Sequence, residues 1–293
     1  MTWGEILSKA DIYLSTKGVP EARVASELLA ARLLHIGRGT LAGELAKEAP
    51  ERCLEAMRRG MKRLVDGEPI QYVLGEWDFR TLTLKCDRRA LIPRPETEEL
   101  VTRVLKWLAT RAGCQDEGVL ATKPFVVDVG TGTGAIILSI AKEFKGEAML
   151  LGTDVSEDAV ALARENAVRC GLADRVKFAV ADGLDDFDEP GIVDVIVSNP
   201  PYIETATCET LDPRVKDWEP RLALDGGPSG LEFYDRYLGD ALNILKPGGA
   251  VFFEIGENQG EALRQLMFDY GFENILIEKD YGGHDRYASA TLP

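Results

Sequence analysis

Phe125-Val126-Val127-Asp128-Val129-Gly130-Thr131-Gly132-Thr133-Gly134-Ala135-Ile136-Ile137-Leu138-Ser139-Ile140-Ala141 decides the fold. Its first five residues are apolar apart from Asp128 and rich in valine, the composition of a strand buried on both faces. A turn with three glycines follows, then an apolar run that reads as a buried helix. Glycines let the backbone approach a ligand closely, and a helix N-terminus favours an anionic group. A tight turn with no ligand is the bland alternative. Against it stands Asp154, 20 residues past Gly134 at the end of the next strand, Ala148 to Asp154. A carboxylate there can accept hydrogen bonds from both hydroxyls of a ribose. The pair does not name a cofactor, because Gly130, Gly132 and Ala135 also satisfy the loose dinucleotide pattern G-x-G-x-x-A.

Strands and helices continue to alternate downstream. A helix is expected at 157–170, a strand at Val176–Val180 closed by Ala181-Asp182-Gly183, and a strand at Ile192–Ser198. A helix at about 231–245 leads through the turn Lys246-Pro247-Gly248-Gly249 into strand Ala250–Ile255. A helix at 258–270 and short strands near 273–278 and 286–291 close the chain. This order predicts an α/β fold with a mainly parallel, doubly wound sheet. Upstream, residues 112–124 read as a surface loop. Arg94-Pro95-Glu96-Thr97-Glu98 opens a helix whose Leu100, Val101, Val104, Leu105 and Leu108 share a face. Tyr72-Val73-Leu74, Trp77-Asp78-Phe79 and Thr81-Leu82-Thr83-Leu84 have β-type composition and suggest a hairpin. Helical periodicity fills the region before it, as in Ile6, Leu7, Ala10 and Leu14. Three segments result: a helical bundle at 1–70, for packing or for docking a partner, a hairpin linker at 71–92, and the α/β domain at 93–293.

Asn199-Pro200-Pro201-Tyr202 ends the strand Ile192–Ser198. The prolines stop sheet pairing and stiffen the backbone, and Asn199 is driven to an extended conformation by the proline after it. The motif reads as a carboxamide on a rigid corner, at the sheet edge where open α/β folds bind ligands. An amide or aromatic amino nitrogen is a poor nucleophile because its lone pair is delocalised. Asn199 can accept one of its N–H groups, and the main-chain carbonyl of Pro200 the other. Together they aim the lone pair along the axis of an incoming methyl group, while Tyr202 stacks on the planar group. Hydride transfer fits less well, since His35 and His284, the two histidines, end no strand of this core. Asp182 can accept from an adenine amino group, although a solvated turn aspartate before glycine is common.

The 293 residues suffice for one large or two modest domains, and 34 basic against 49 acidic side chains give a net charge of −15. That excess disfavours sequence-independent nucleic-acid binding, which depends on phosphate neutralisation. No apolar run approaches the roughly 18 residues of a membrane span. The N-terminus carries Glu5 and Asp11 and lacks a basic-then-apolar signal pattern, so secretion is not expected. Five scattered cysteines, at 53, 86, 114, 170 and 208, read as reduced thiols in a cytoplasmic protein. No metal site is expected.

Several segments extend these motifs: Pro69-Ile70-Gln71-Tyr72-Val73-Leu74-Gly75-Glu76-Trp77, Leu91-Ile92-Pro93-Arg94-Pro95-Glu96-Thr97-Glu98, Trp218-Glu219-Pro220-Arg221-Leu222-Ala223-Leu224 and Gly283-His284-Asp285-Arg286. With Asp128–Gly134 and Asn199–Tyr202, they resemble the HemK/PrmC family of protein-(glutamine-N5) methyltransferases over nearly the whole chain. The resemblance implies a class I, Rossmann-like fold and S-adenosyl-L-methionine as cofactor, with S-adenosyl-L-homocysteine as product. It implies as substrate the glutamine of the Gly-Gly-Gln loop of class I peptide chain release factors. Carried onto this chain, Gly130, Thr131, Gly132, Thr133 and Gly134 pack beside the methionine part of the cofactor, with Asn199 near it. Asp154 holds the ribose, and Asp182 with Gly183 lies by the adenine. Asn199, Pro200, Pro201 and Tyr202 bind the glutamine amide, with Arg94 and Glu96 as further substrate contacts. Asn199, Pro200 and Tyr202 are the catalytic candidates. One departure stands out: the residue after Asp182 is often large and aromatic in the family, and here it is Gly183.

An acidic enzyme suits a basic, ribosome-binding partner. The expectation is a cytoplasmic monomer with no direct nucleic-acid substrate and no membrane partner. Three rivals remain. Asn-Pro-Pro-Tyr also occurs in adenine-N6 DNA methyltransferases, which the net acidity disfavours. A ribosomal protein could supply the glutamine. A silent binding module would not need an intact loop, acid and Asn-Pro-Pro-Tyr.

Overall fold

The computed structural model describes residues 1–113, 123–185 and 187–293. Most of the expected surface loop at 112–124, with Cys114, lies outside the described residues. The chain divides into two compact units, Met1–Glu76 with Asp212–Trp218, and Trp77–Leu211 with Glu219–Pro293.

In the first unit, α1 (Trp3–Thr16), α2 (Ala22–Leu34) and α3 (Glu51–Val65) are followed by the short α4 (Ile70–Leu74). Trp3, Ile6, Ala10 and Leu14 of α1 cluster with Leu29 of α2 and Leu54, Met57 and Leu64 of α3. Thr2 starts α1 with a capping box: its hydroxyl accepts from the Glu5 amide at 3.3 Å, and the Glu5 carboxylate accepts from the Thr2 amide at 2.9 Å. Tyr72-Val73-Leu74, expected as strand, is helical. Pro69 precedes α4, and Gly75 ends it in the left-handed conformation at φ 73°. Arg63 forms two 2.6 Å hydrogen bonds with Glu68 and donates to the carbonyls of Tyr72 at 3.0 Å and Val73 at 3.1 Å. That guanidinium satisfies carbonyls that a helix end leaves open, which local β-propensity cannot offset. Residues 1–76 hold eleven acidic and eleven basic side chains, so the whole net charge of −15 resides in 77–293.

The second unit opens with a separate hairpin, β1 (Glu76–Phe79) and β2 (Leu82–Lys85), whose first residue belongs to the first unit. Then follow α5 (Pro95–Gly113), β3 (Phe125–Val129), α6 (Ala135–Glu143), β4 (Met149–Asp154), α7 (Glu157–Arg169), β5 (Lys177–Val180), β6 (Val193–Ser198) and α8 (Thr205–Cys208). The chain returns to the first unit for Asp212–Trp218, which carries the single turn α9 (Pro213–Lys216). It then forms α10 (Glu232–Ile244), β7 (Leu245–Glu254), α11 (Gly260–Asp269), β8 (Glu273–Lys279) and β9 (Asp285–Thr291).

Seven strands pair in the order β5-β4-β3-β6-β7-β9-β8. All pairs are parallel up to β7, while β9 runs against both of its neighbours. Val126, Val195, Val197 and Phe252 face one core, and Val127, Ile196, Val251 and Phe253 face the other. Burial on both faces explains why these strands are mostly apolar along their length rather than alternating. α5 and α6 cover the first face through Leu100, Val104 and Ile137, and α10 and α11 cover the second through Tyr234, Leu238, Leu263 and Met267. β7 begins at Leu245 rather than Ala250. Its pairing jumps from Val193 with Leu245 to Val195 with Ala250, so Lys246-Pro247-Gly248-Gly249 is a bulge inside the strand. Strand order reverses between β3 and β6, where Val129 lies beside Ser198. Such a reversal opens a crevice at the carboxyl ends of the strands. No helix among the described residues is long and apolar enough to cross a membrane.

Candidate active site

The turn after β3 places Gly130, Gly132 and Gly134 at φ 72°, 55° and 82°, a region that side-chain-bearing residues rarely enter. The Thr131 amide donates to Thr153 O at 2.8 Å, tying the turn to the end of β4. Beneath it, the Thr131 hydroxyl donates to the buried Asp128 carboxylate at 2.7 Å. Burial pushes the Asp128 carboxyl up to about 7, against the opposing pull of that hydroxyl. Asp154 accepts from the Gly132 amide at 2.9 Å and from the Ser156 amide at 3.0 Å. Burial raises its pKa, and the two amides work the other way. The carboxylate thus holds the glycine turn and the start of α7 in one geometry.

A cavity of about 430 Å³ opens beside this turn. That volume falls within the ~300–1,000 Å³ of small-molecule sites. Gly130, Thr131 and Thr133 line it from the turn, and Asp154 from β4. Asp182 and Gly183 line it after β5, Asn199 and Pro201 after β6, and Arg94 before α5. Five expected site residues do not line it: Gly132, Gly134, Pro200, Tyr202 and Glu96. Gly132 and Gly134 shape the turn. Tyr202 packs against the α10–α11 core, and burial pushes its phenol up to about 12, which keeps it protonated. Glu96 is exposed, and its main-chain carbonyl accepts from the Tyr287 hydroxyl at 2.8 Å.

At the Asn199 corner, Asn199 Nδ2 donates to Thr97 Oγ1 at 3.2 Å. The Thr97 hydroxyl donates to Glu254 Oε2 at 2.6 Å. Glu254 ends β7, the neighbour of β6, and burial pushes its carboxyl up to about 7. The segment after the prolines is pinned as well. Gln259 Nε2 donates to Tyr202 O at 3.0 Å, and a Cβ at Gly226 would meet Pro201 O at 2.7 Å, so only glycine fits there.

Arg94 donates to Glu219 Oε1 at 2.6 Å, and Glu219 Oε2 accepts from the Ile92 amide at 3.0 Å. The Glu219 side chain is 1% exposed, so the Arg94 charge is committed to this pair. Asp182 is also engaged: Arg236 donates to its Oδ1 at 2.7 Å and to its carbonyl at 2.6 Å. Gly183 has φ 70°, and a Cβ there would meet Tyr237 Cε1 at 3.1 Å and Arg236 Cζ at 3.3 Å. Two α10 side chains, Tyr237 and Arg236, thus fill the wall that an aromatic at 183 would occupy.

Sequence reasoning missed Thr97, Glu254, Glu219 and Arg236. Thr97 had a signal: it falls on the same helical stripe as Leu100, Val101 and Val104, which marks a buried hydroxyl. Glu254 had a second one, as an acid ending an apolar strand in the manner of Asp154. Glu219 lies in the Trp218–Leu224 segment that carries the resemblance, but its partners lie more than a hundred residues away. Arg236 acts across more than fifty residues and carries no local pattern.

A model described as the PrmC N-terminal domain matches residues 5–75, and a methyltransferase-domain model matches residues 123–271. A release factor glutamine methyltransferase of Moorella thermoacetica is 36% identical over 98% of this chain and 97% of its own length. That of Chlorobaculum tepidum is 35% identical over 96% and 94%. Among solved structures, the hMettl16 catalytic domain in complex with a MAT2A 3′UTR hairpin has a TM-score of 0.54 at 19% identity, covering 72% of this chain and 75% of that one. A methyltransferase from Pyrococcus furiosus has a TM-score of 0.50 at 20% identity, covering 72% and 89%. At such identity these two structures show a shared fold alone. The match to the curated relatives runs almost end to end through both units, and the chain belongs to the release factor glutamine methyltransferase family.

Proposed function

We propose that this enzyme methylates the side-chain amide nitrogen of the glutamine in the Gly-Gly-Gln loop of class I peptide chain release factors. When bound, S-adenosylmethionine supplies a sulfonium methyl group and leaves as S-adenosylhomocysteine. The observation that carries the reading is the convergence of the Gly130–Gly134 turn, Asp154 and the Asn199 carboxamide on one cavity of about 430 Å³. The glycine turn receives the methionine end at the N-terminus of α6, and Asp154 takes the ribose hydroxyls with its remaining lone pairs. Asp182 and Gly183 border the adenine, with Arg236 and Tyr237 behind them. Asn199 Oδ1 accepts one substrate N–H and so orients the nitrogen lone pair toward the methyl carbon. Pro200, expected to accept the other N–H through its carbonyl, is buried and does not line the cavity, so the orientation rests on Asn199. Pro201 borders the same position, while Tyr202 supports the corner from the core side. Arg94 holds the cavity wall through Glu219. The nitrogen sheds one proton as the new C–N bond forms. That proton is strongly acidic, so Asn199 Oδ1 or water suffices to take it.

The helical unit serves substrate docking, and the enzyme works in the cytoplasm as a monomer, with no nucleic acid or membrane in its cycle. A labelled-methyl assay tests the substrate by offering a release factor, its loop Gln→Ala variant, a ribosomal protein fraction and DNA. Label on the release factor alone, lost with the glutamine, is the expected result. Label on the ribosomal fraction or on DNA instead overturns the reading.

Two further outcomes follow. Because the charge of −15 sits in 77–293, association with a basic partner is steered by that unit. The association rate measured by stopped flow should fall as salt is raised from about 50 to about 500 mM, as the Debye length shortens. Gly183→Phe, which restores the family's aromatic, should lower the melting temperature by about 2–4 °C, since a side chain at positive φ costs about 1 kcal/mol. It should leave the cofactor Kd no tighter by calorimetry, because Tyr237 and Arg236 already hold that space.

A further inference from the structure

The geometry points to Thr97 and Glu254 as positioning residues that determine which end of the Asn199 carboxamide faces the cavity. The inference rests on the amide-binding role of Asn199 proposed above. A carboxamide is nearly symmetric in shape, and a half turn exchanges its acceptor for its donor. The exchange is decisive here. A substrate amide nitrogen carries two N–H groups, so an Asn199 presenting its own NH₂ would set donor against donor. Only Oδ1 forward is productive.

Asn199 Nδ2 lies 3.2 Å from Thr97 Oγ1, which lies 2.6 Å from Glu254 Oε2. Thr97 and Glu254 are 4% and 2% exposed. A carboxylate only accepts, so the hydroxyl proton of Thr97 goes to Glu254. Thr97 Oγ1 then has only lone pairs to offer Asn199, which must answer with its N–H. Oδ1 is left facing the cavity. The O···O separation is that of a hydroxyl–carboxylate bond, about 2.5–2.7 Å. With Glu254 protonated the constraint lapses. The acid can donate to Thr97, Thr97 can donate to Asn199 Oδ1, and the carboxamide turns over.

The fold builds this relay from three elements. Ser198 of β6 pairs with Phe253 of β7, so Asn199 and Glu254 leave adjacent strands together, and the first turn of α5 brings Thr97 to both. The titratable groups around Glu254 are Arg94 and Glu96 at the start of α5, Arg286 and Tyr287 of β9, Tyr202 after β6 and Tyr234 of α10. Burial outweighs them and carries the carboxyl from its ordinary 4.5 to about 7, so the relay switches near neutral pH.

The test uses Thr97→Val, Thr97→Ser and Glu254→Gln in the full chain, with S-adenosylmethionine and a release factor. Thr97→Val and Glu254→Gln should lower kcat by about 10- to 100-fold while the cofactor Kd stays within about twofold, and Thr97→Ser should regain most of the rate. Wild-type kcat should rise with pH through about 7, and Glu254→Gln should lack that limb. Stability moves the other way. The folded-state pKa of Glu254 is raised, so its stabilising contribution is complete below about 4.5 and lost as pH rises through about 7. Glu254→Gln should therefore gain melting temperature over wild type as pH rises while losing turnover, a pairing that a purely structural role does not produce. A readout without substrate is the Asn199 side-chain amide resonance, which should titrate with a midpoint near 7 in wild type and not in Glu254→Gln. An undiminished kcat in Thr97→Val, or an Asn199 resonance indifferent to pH, overturns the inference. If wild type transfers no methyl to release factors, the substrate reading fails, and the resonance still decides the positioning role.

Discussion

Asn199→Ala should slow methyl transfer to a release factor by about 10²–10³-fold, with the cofactor Kd changed by less than about tenfold. The size follows from what the alanine removes. Asn199 supplies the acceptor that lines the cavity for an amide N–H group, and a lost hydrogen bond at a reacting centre is worth about 1–3 kcal/mol. Misdirection of the lone pair adds to this, because the rate depends on its alignment with the methyl axis. Folding should survive, since Thr97 keeps its bond to Glu254 when Asn199 Nδ2 is gone. Single-turnover kinetics at saturating cofactor, with calorimetric Kd beside them, separate the two effects. A variant that transfers methyl at the wild-type rate would remove Asn199 from the mechanism.

Asp154→Ala should act on the other half of the cavity, weakening cofactor binding by about 10²-fold or more and lowering the melting temperature. Two amides, Gly132 N and Ser156 N, lose their acceptor at once. Each unsatisfied amide costs about 1–3 kcal/mol, and the glycine turn they shape loses its hold. The ribose acceptors go with the same carboxylate. Calorimetry on the purified variant reads the affinity, and scanning calorimetry reads the stability. The burial that raises the Asp154 pKa adds a pH signature. Cofactor affinity in wild type should fall on acidification at a pH above the ordinary aspartate range, and the alanine variant should not show that fall. Equal affinities for the two proteins would remove Asp154 from the ribose.

The α/β core was legible because its signals are local and redundant. Phe125–Val129 and Val193–Ser198 are buried on both faces, so they read as apolar runs interrupted only by Asp128 in the first and by Asp194 and Ser198 in the second, and the glycine turn announces itself by composition. Asn199-Pro200-Pro201 was legible because proline restricts its neighbours without help from the fold. Tyr72–Leu74 misled because β-type composition was overruled by a guanidinium ten residues upstream. The start of β7 misled because proline and glycine are turn residues in isolation, yet the pairing with β6 tolerates them as a bulge. Thr97 and Glu254 were missed for a different reason. Their roles exist only as a relationship across 157 residues: the stripe marks Thr97 as a buried hydroxyl and the strand end marks Glu254 as an acid, but neither signal names the other residue.

The return of Asp212–Trp218 to the first unit bears on how the protein is made. Gly67 lies so close to that segment that a Cβ on it would sit 3.4 Å from the Trp218 indole nitrogen. During synthesis the helical unit therefore lacks its last piece until residue 218 has left the ribosome, by which time β3 to β6 have already emerged. Two units that look sequential along the gene are thus obliged to finish in overlapping order. A fragment cut at residue 76 strands seven residues from their unit, so the helical unit is best isolated with that segment supplied in trans or by circular permutation.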